Sequence, residues 1–148
     1  MPKLKSNVEF ETAFDTYTVG EEIGEGGSGK VFGGFSSDGT AVAVKVLTTD
    51  RATTDKRKRF KNEIDFLSKV RHPNIVGATD HGIASHKSIQ GPFYVMPRFD
   101  GNMREHLESV SDPNIKLEIF CKVLDGVEAV HLQGAFHRDL KPENVLVS

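Results

Sequence analysis

The sequence predicts an α+β chain, with a strand-rich first part carrying one helix and a helical second part, on three observations. Short apolar stretches flank a cluster of glycines, and one of them, Ala41–Leu47, alternates cleanly with a period of two. The segments 53–70 and 112–134 instead repeat their apolar residues every three to four positions, as amphipathic helices do. Turn chemistry (Asp38-Gly39, His72-Pro73-Asn74, Asp112-Pro113) separates these stretches.

Taken in order, Tyr17–Ile23 and Lys30–Ser36 read as strands on either side of the glycines, and Ser36–Thr40 as an Asp-Gly turn. In the third strand, Val42, Val44 and Val46 share one face, and Ala43, Lys45 and Leu47 the other. Thr53, Thr54 or Asp55 can cap the following helix, which runs to about Val70 with Phe60, Ile64 and Leu67 as its stripe. Lys56–Arg59 points all around its opening turn and reads as a solvated run. Ile75–Asp80 and Phe93–Arg98 are expected as strands, with Gly82–Pro92 as the loop between them. A short helix follows Asp100-Gly101. A longer one starts at Asp112-Pro113, stops at Gly134 and carries Leu117, Phe120, Leu124, Val127 and His131 on its stripe. Cys121, among its apolar residues, is expected to be a buried thiol. Val145–Val147 reads as one arm of a hairpin, with its partner arm expected to be missing from this chain.

The composition excludes several classes. At 148 residues, with 37% hydrophobic and 27% charged residues, the chain is neither collagen-like nor wholly disordered. A chain of this size buries roughly 70% of its unfolded surface, which allows a core without disulfides or metal. The net charge is −2. Residues 1–72 carry +1 and the remainder −3, so neither half has the positive field of a nucleic-acid binder. One cysteine permits no internal disulfide. Met1-Pro2-Lys3-Leu4-Lys5 lacks the apolar stretch of a signal peptide, and no window suits a membrane span. A reducing, cytoplasmic setting is the expectation.

Three constellations carry chemistry. Gly24-Glu25-Gly26-Gly27-Ser28-Gly29-Lys30-Val31 satisfies a G-x-G-x-x-G pattern and also the start of a phosphate-binding G-x-x-x-x-G-K loop. The latter needs Ser or Thr where Val31 stands, and a helix where Lys30-Val31-Phe32 continues as strand. The dinucleotide reading likewise needs a strand and then a helix. A flap of backbone N–H groups between two antiparallel strands remains. Lys45 and Glu63 both lie on otherwise apolar faces, where an unpaired charge is costly, so they are expected to pair with each other. Finally, His137–Asn144 brings Asp139, Lys141 and Asn144 into one loop, suited to accept a proton, neutralise phosphate and hold a magnesium ion.

In their order and spacing these residues resemble the eukaryotic-type protein kinase family, serine/threonine branch. The matching stretches are Gly24-x-Gly26-x-x-Gly29-x-Val31, Val42-Ala43-Val44-Lys45, Glu63 ahead of His72-Pro73-Asn74-Ile75-Val76, and His137-Arg138-Asp139 through Asn144. The resemblance implies an N-lobe and hinge over residues 17–99 after an N-terminal extension over 1–16. It implies the start of a helical C-lobe over 100–148. It implies ATP with Mg2+ as cofactors and a protein Ser or Thr hydroxyl as acceptor. Lys45 would contact the α and β phosphates, held by Glu63, and Gly24, Gly26 and Gly29 would cover the phosphates. Ile23, Val31, Ala43 and Leu146 would sandwich adenine, Met96 would take the gatekeeper position, and the Pro97 carbonyl and Phe99 N–H would read the adenine edge. The family commonly has Glu where Pro97 stands, but the carbonyl it needs is kept. Asn102 falls at a ribose contact, one residue short of the family's spacing. Asp139 would be the catalytic base, Lys141 the phosphate contact in transfer and Asn144 the magnesium ligand.

The pattern breaks after Asn144. The Asp-Phe-Gly segment, the activation loop and the remaining lower-lobe helices do not follow before Ser148. The expectation is a domain truncated after the catalytic loop, with little transfer by this chain alone and a 112–134 helix whose exposed stripe favours association. The alternative reading is a non-catalytic, pseudokinase-like or regulatory nucleotide-binding module.

Overall fold

A computed structural model describes residues 3–26, 29–99, 101–134 and 146–147. The chain divides into two compact units, 1–70 with 77–98, and 71–76 with 99–148.

The first unit is a six-stranded antiparallel sheet with one helix. Its strands are β1 (Lys3–Glu11), β2 (Thr16–Gly26), β3 (Gly29–Phe35), β4 (Ala41–Val46), β5 (Asp80–Ser85) and β6 (Gln90–Pro97), in spatial order β1-β2-β3-β4-β6-β5. The sequence showed no pattern for β1. It pairs with β2 through Phe10 opposite Tyr17 and Val8 opposite Val19, and both Phe10 and Val8 are buried. The Ser36–Thr40 turn forms as expected: Thr40 N–H donates to Asp38 Oδ1 at 3.0 Å, and Ser36 N–H to the Thr40 carbonyl at 2.9 Å. The Ser36 hydroxyl, which donates to the Asp38 carboxylate, and then the Thr40 side chain and N–H lower the Asp38 carboxyl to about 2.

The alternation in β4 sorts its side chains as the sequence implied. Val42, Val44 and Val46 enter a core with Phe10, Tyr17, Val19, Phe32, Phe93 and Val95. On the other face Leu47 packs with Phe60 and Tyr94, and Ile64, Leu67 and Met96 border them. Phe60, Ile64 and Leu67 come from α1 (Thr54–Lys69), whose N-cap Thr53 accepts from Lys56 N–H at 3.2 Å. The sheet is curled enough to bring its edge strands β1 and β5 near each other around the valine-lined core. Asp80 stitches this seam: its Oδ2 accepts from Tyr17 Oη at 2.8 Å and from Thr12 Oγ1 at 2.5 Å.

One expectation is corrected here. Ile75–Asp80 is not a strand; the strand begins at Asp80 and runs through residues read as loop, to Ser85, leaving only 86–89 as the turn. Residues 77–79 instead follow α1 and β6, with Ala78 N–H on the Leu67 carbonyl and Thr79 N–H on the Val95 carbonyl. The misreading has a physical cause. As an edge strand, β5 buries only Asp80 and Ala84, so it lacks an apolar pattern.

The second unit holds α2 (Met103–Ser109), α3 (Pro113–Leu132) and a two-stranded ladder of β7 (Gly101–Asn102) with β8 (Leu146–Val147). Leu146–Val147, expected to lack a partner in this chain, instead pair with Gly101–Asn102. Asp112 caps α3 by accepting from Asn114 N–H at 2.9 Å, and Pro113 takes the first turn. The only buried residue of α3 is Gly126, against which the Asn74 carbonyl packs. Leu117, Phe120 and Leu124 are about half exposed, as expected for the stripe. Cys121 is exposed, which overturns its reading as a buried thiol: among the described residues no element covers that side of α3.

Candidate functional site

On the α1-facing side of the sheet, strand register places the candidate residues next to one another. Val31 lies opposite Lys45, Ala43 opposite Met96, and Lys45 opposite Tyr94. The two charges expected to pair do so: Lys45 Nζ is 2.9 Å from Glu63 Oε1, with the lysine side chain 16% exposed and the glutamate 31%. Glu63 reaches the sheet because it shares the inward stripe of α1 with Phe60 and Leu67.

A third member, Tyr94, was not read from the sequence. Its hydroxyl donates to the same Glu63 Oε1 at 2.6 Å, its ring packs at 5.5 Å on Phe60, and Lys45 Nζ lies 5.8 Å from its centroid. Burial first, and then the Glu63 carboxylate, push the Tyr94 hydroxyl well above the ordinary tyrosine range. Glu63 thus accepts from both a neutral O–H and an ammonium, which fixes its rotamer and holds the ammonium beside the strand face. The only sequence signal was the position of Tyr94, two residues before Met96 and so on the same face.

The glycine cluster joins two antiparallel strands. Gly26 pairs with Gly29 and Gly24 with Val31, and β3 continues from there, so the strand-then-helix readings do not hold. The apolar candidates line the same region: Ala43 is buried, Val31 and Met96 are half-buried, and Ile23 is 36% exposed. An accessible apolar strip ending at an anchored lysine suits a flat aromatic ring attached to an anionic tail.

The remaining candidates fall elsewhere. Pro97 ends β6 opposite Val42 and is exposed. Phe99, Asn102 and Leu146 belong to the second unit. There the Asn102 side-chain oxygen accepts from Glu105 N–H at 3.1 Å as the cap of α2, and Leu146 pairs with Asn102 across the short ladder. Asp139, Lys141 and Asn144 lie outside the described residues. Among the described residues no group of three His, Cys, Asp or Glu side chains is gathered as for a metal. No helix among them is long and apolar enough to cross a membrane.

A family model described as the protein kinase domain matches residues 17–148. The chain belongs to the protein kinase family. Similar proteins include a probable serine/threonine-protein kinase of Corynebacterium efficiens, 34% identical over 141 residues, covering 90% of this chain and 21% of the relative. A serine/threonine-protein kinase of Xenopus laevis is 33% identical over 139 residues, covering 89% and 32% respectively. A probable serine/threonine-protein kinase PknB of Lactococcus lactis is 36% identical over 142 residues, covering 90% and 22%. The kinase chain therefore spans between 21% and 32% of the length of these relatives.

Proposed function

We propose that this chain is the ATP-binding portion of a serine/threonine protein kinase, in which the γ-phosphoryl group of ATP passes to a protein Ser or Thr hydroxyl. The observation that carries the reading is the assembled Lys45–Glu63–Tyr94 group at the end of the Ile23, Val31, Ala43 and Met96 strip. Lys45 offers an ammonium already held in place, so binding a phosphate there costs little further ordering of its flexible side chain. Glu63 orients that ammonium, and Tyr94 orients Glu63.

The residues present suit ATP. Magnesium, when bound, would offset phosphate charge during transfer, and Asn144 is its proposed ligand. Asp139 is proposed to take the acceptor hydroxyl's proton or orient it, and Lys141 to contact the moving phosphoryl group. Pro97, Phe99, Asn102 and Leu146 are proposed to complete the nucleoside contacts. A cytoplasmic setting agrees with an ATP-dependent reaction and a chain that can form no internal disulfide.

Mg-ATP is expected to raise the melting temperature by several degrees at ligand about 100-fold above Kd. Lys45→Met is expected to remove most of that shift. Equal shifts in both proteins would overturn the role of Lys45. Binding without any phosphoryl transfer by a protein that carries Asp139 together with a complete C-lobe would favour the non-catalytic module instead.

A further inference from the structure

The β2 end of the apolar strip is held by a residue that no motif singled out. The register between β2 and β3 breaks twice: Val19 lies opposite Gly34, Glu22 opposite Phe32 and Gly24 opposite Val31, with shifts on both sides of Glu22. The extra β2 residues turn Glu22 towards the core and leave Glu21 and Ile23 on the strip face. Neither Glu21 nor Ile23 has a partner on β3, and Gly33 has none on β2. Ile23, which the nucleotide reading sets against the base, thus sits on an irregular stretch of the ladder.

Arg98 spans this break. It follows Pro97, the last residue of β6, and its Nη2 donates to Glu21 Oε1 at 3.1 Å. Its other terminal nitrogen takes the space that a side chain at 33 would need. A Cβ there would lie 2.6 Å from Arg98 Nη1 and 3.6 Å from Ile23 Cγ2. Gly33 pairs with Ala43 as Val31 pairs with Lys45, so this slot opens on the strip face, two residues along β3 from the lysine's partner. Close approach, rather than an unusual φ, is what calls for glycine here. The Arg98 side chain is 35% exposed and that of Glu21 53%. An ion pair so open contributes little to stability by itself. Its effect is geometric: the planar guanidinium, laid against bare backbone beside Ile23, ties β2 to the end of β6 where the β2–β3 ladder is interrupted.

We infer that Arg98 is a positioning residue of the nucleotide strip: strapped to Glu21 through the slot at Gly33, it holds the bulged part of β2 down and so sets Ile23 against the base. This rests on the nucleotide reading of the strip and gives Arg98 a task distinct from that of Lys45. Lys45 meets the phosphates. Arg98 acts through Ile23 on the base, so its contribution is the same whether or not the ligand carries phosphates. Without the strap, that part of β2 has to be ordered when the ligand binds, and the cost appears as weaker affinity.

The test is titration of the chain, with isotope-labelled isoleucine methyl groups, by Mg-ATP and by adenosine, followed by NMR. In wild type the Ile23 methyl is expected to shift saturably with both. Arg98→Ala is expected to move the Ile23 resonance in the free chain and to weaken ATP and adenosine by the same factor, about threefold to fivefold. Lys45→Met is expected instead to weaken ATP more than adenosine. Glu21→Gln is expected to act as Arg98→Ala does, and the two together to do no more than Arg98→Ala alone. Arg98→Lys, which keeps the charge, is expected to lose less than Arg98→Ala. Unchanged affinities in Arg98→Ala, a loss confined to ATP, or additive losses from Arg98→Ala and Glu21→Gln would overturn the inference and leave the nucleotide reading standing. No saturable shift with either ligand in wild type would overturn the nucleotide reading itself, and the inference with it.

Discussion

Two acidic residues in the first unit are buried to the same degree, Asp80 at the seam between β1 and β5 and Glu22 on β2 opposite Phe32, each 9% exposed. Their surroundings differ in one respect. Asp80 accepts from Tyr17 Oη, Thr12 Oγ1 and, through its other oxygen, His81 N–H at 2.8 Å. Glu22 accepts from nothing among the described residues. At the seam the carboxylate's hydration is replaced by fixed donors, so the charge closes the fold. At Glu22 the buried part is the aliphatic stem, and the carboxylate oxygens, which are not among the fully buried unpartnered atoms, are met by solvent. Equal residue burial therefore marks a tied structural acid in one place and a solvated one in the other, and the donor count separates them.

The largest effect should come from removing the seam. Asp80→Ala strands the Tyr17 and Thr12 hydroxyls and unties β1 from β5, and is expected to cost about 3 kcal/mol in urea unfolding. A loss under about 1 kcal/mol would mean that the three donors do not hold the seam and that the contrast with Glu22 is only apparent.

A seam of this kind was invisible in the sequence for a definable reason. The periodic elements were legible: the valines of β4, the stripe of α1 and the Lys45–Glu63 pair all follow from two-residue or helical spacing. Asp80 and Tyr17 are 63 positions apart, and Asp80 opens an edge strand whose outward residues mix His81 and Ser85 with Ile83, so no pattern ties them. Tyr94 was missed similarly, because its link to Glu63 depends on the β4–β6 register, which joins strands distant in the chain. Glu22 was obscured by irregularity. Strict alternation from Tyr17 and Val19 would turn Glu21 inward, but register shifts on either side of Glu22 turn that residue in instead and leave Glu21 exposed.

The next effect is a pH dependence specific to the seam. Burial, and then the hydrogen bond to Asp80, raise the Tyr17 hydroxyl well above the ordinary tyrosine range, as burial and Glu63 do for Tyr94. An unfolded tyrosine loses its proton near pH 10, whereas these two keep theirs in the folded chain. The native state then binds more protons than the unfolded state. This stabilisation is fully present below about pH 10 and falls as pH rises above it. Tyr17→Phe is expected to cost about 1 kcal/mol at neutral pH and to flatten the alkaline decline, and Tyr94→Phe to flatten it further. An alkaline limb that stays as steep in the double variant would show that neither hydroxyl reports on its carboxylate.

The smallest expected effect is the most discriminating, because its sign differs from that at the seam. Glu22→Gln keeps the shape of the side chain and removes a charge that nothing in the described chain satisfies. Replacing this carboxylate by a neutral amide relieves what desolvation the burial of its stem imposes and breaks no bond within the described chain. The net change in urea unfolding is expected to lie between zero and about 1 kcal/mol of added stability. Asp80→Asn, an equally conservative change, is expected to destabilise, since it weakens bonds made to a charged acceptor. If Glu22→Gln instead destabilised as much as Asp80→Asn, both carboxylates would be structural, and the difference in donors would not separate them.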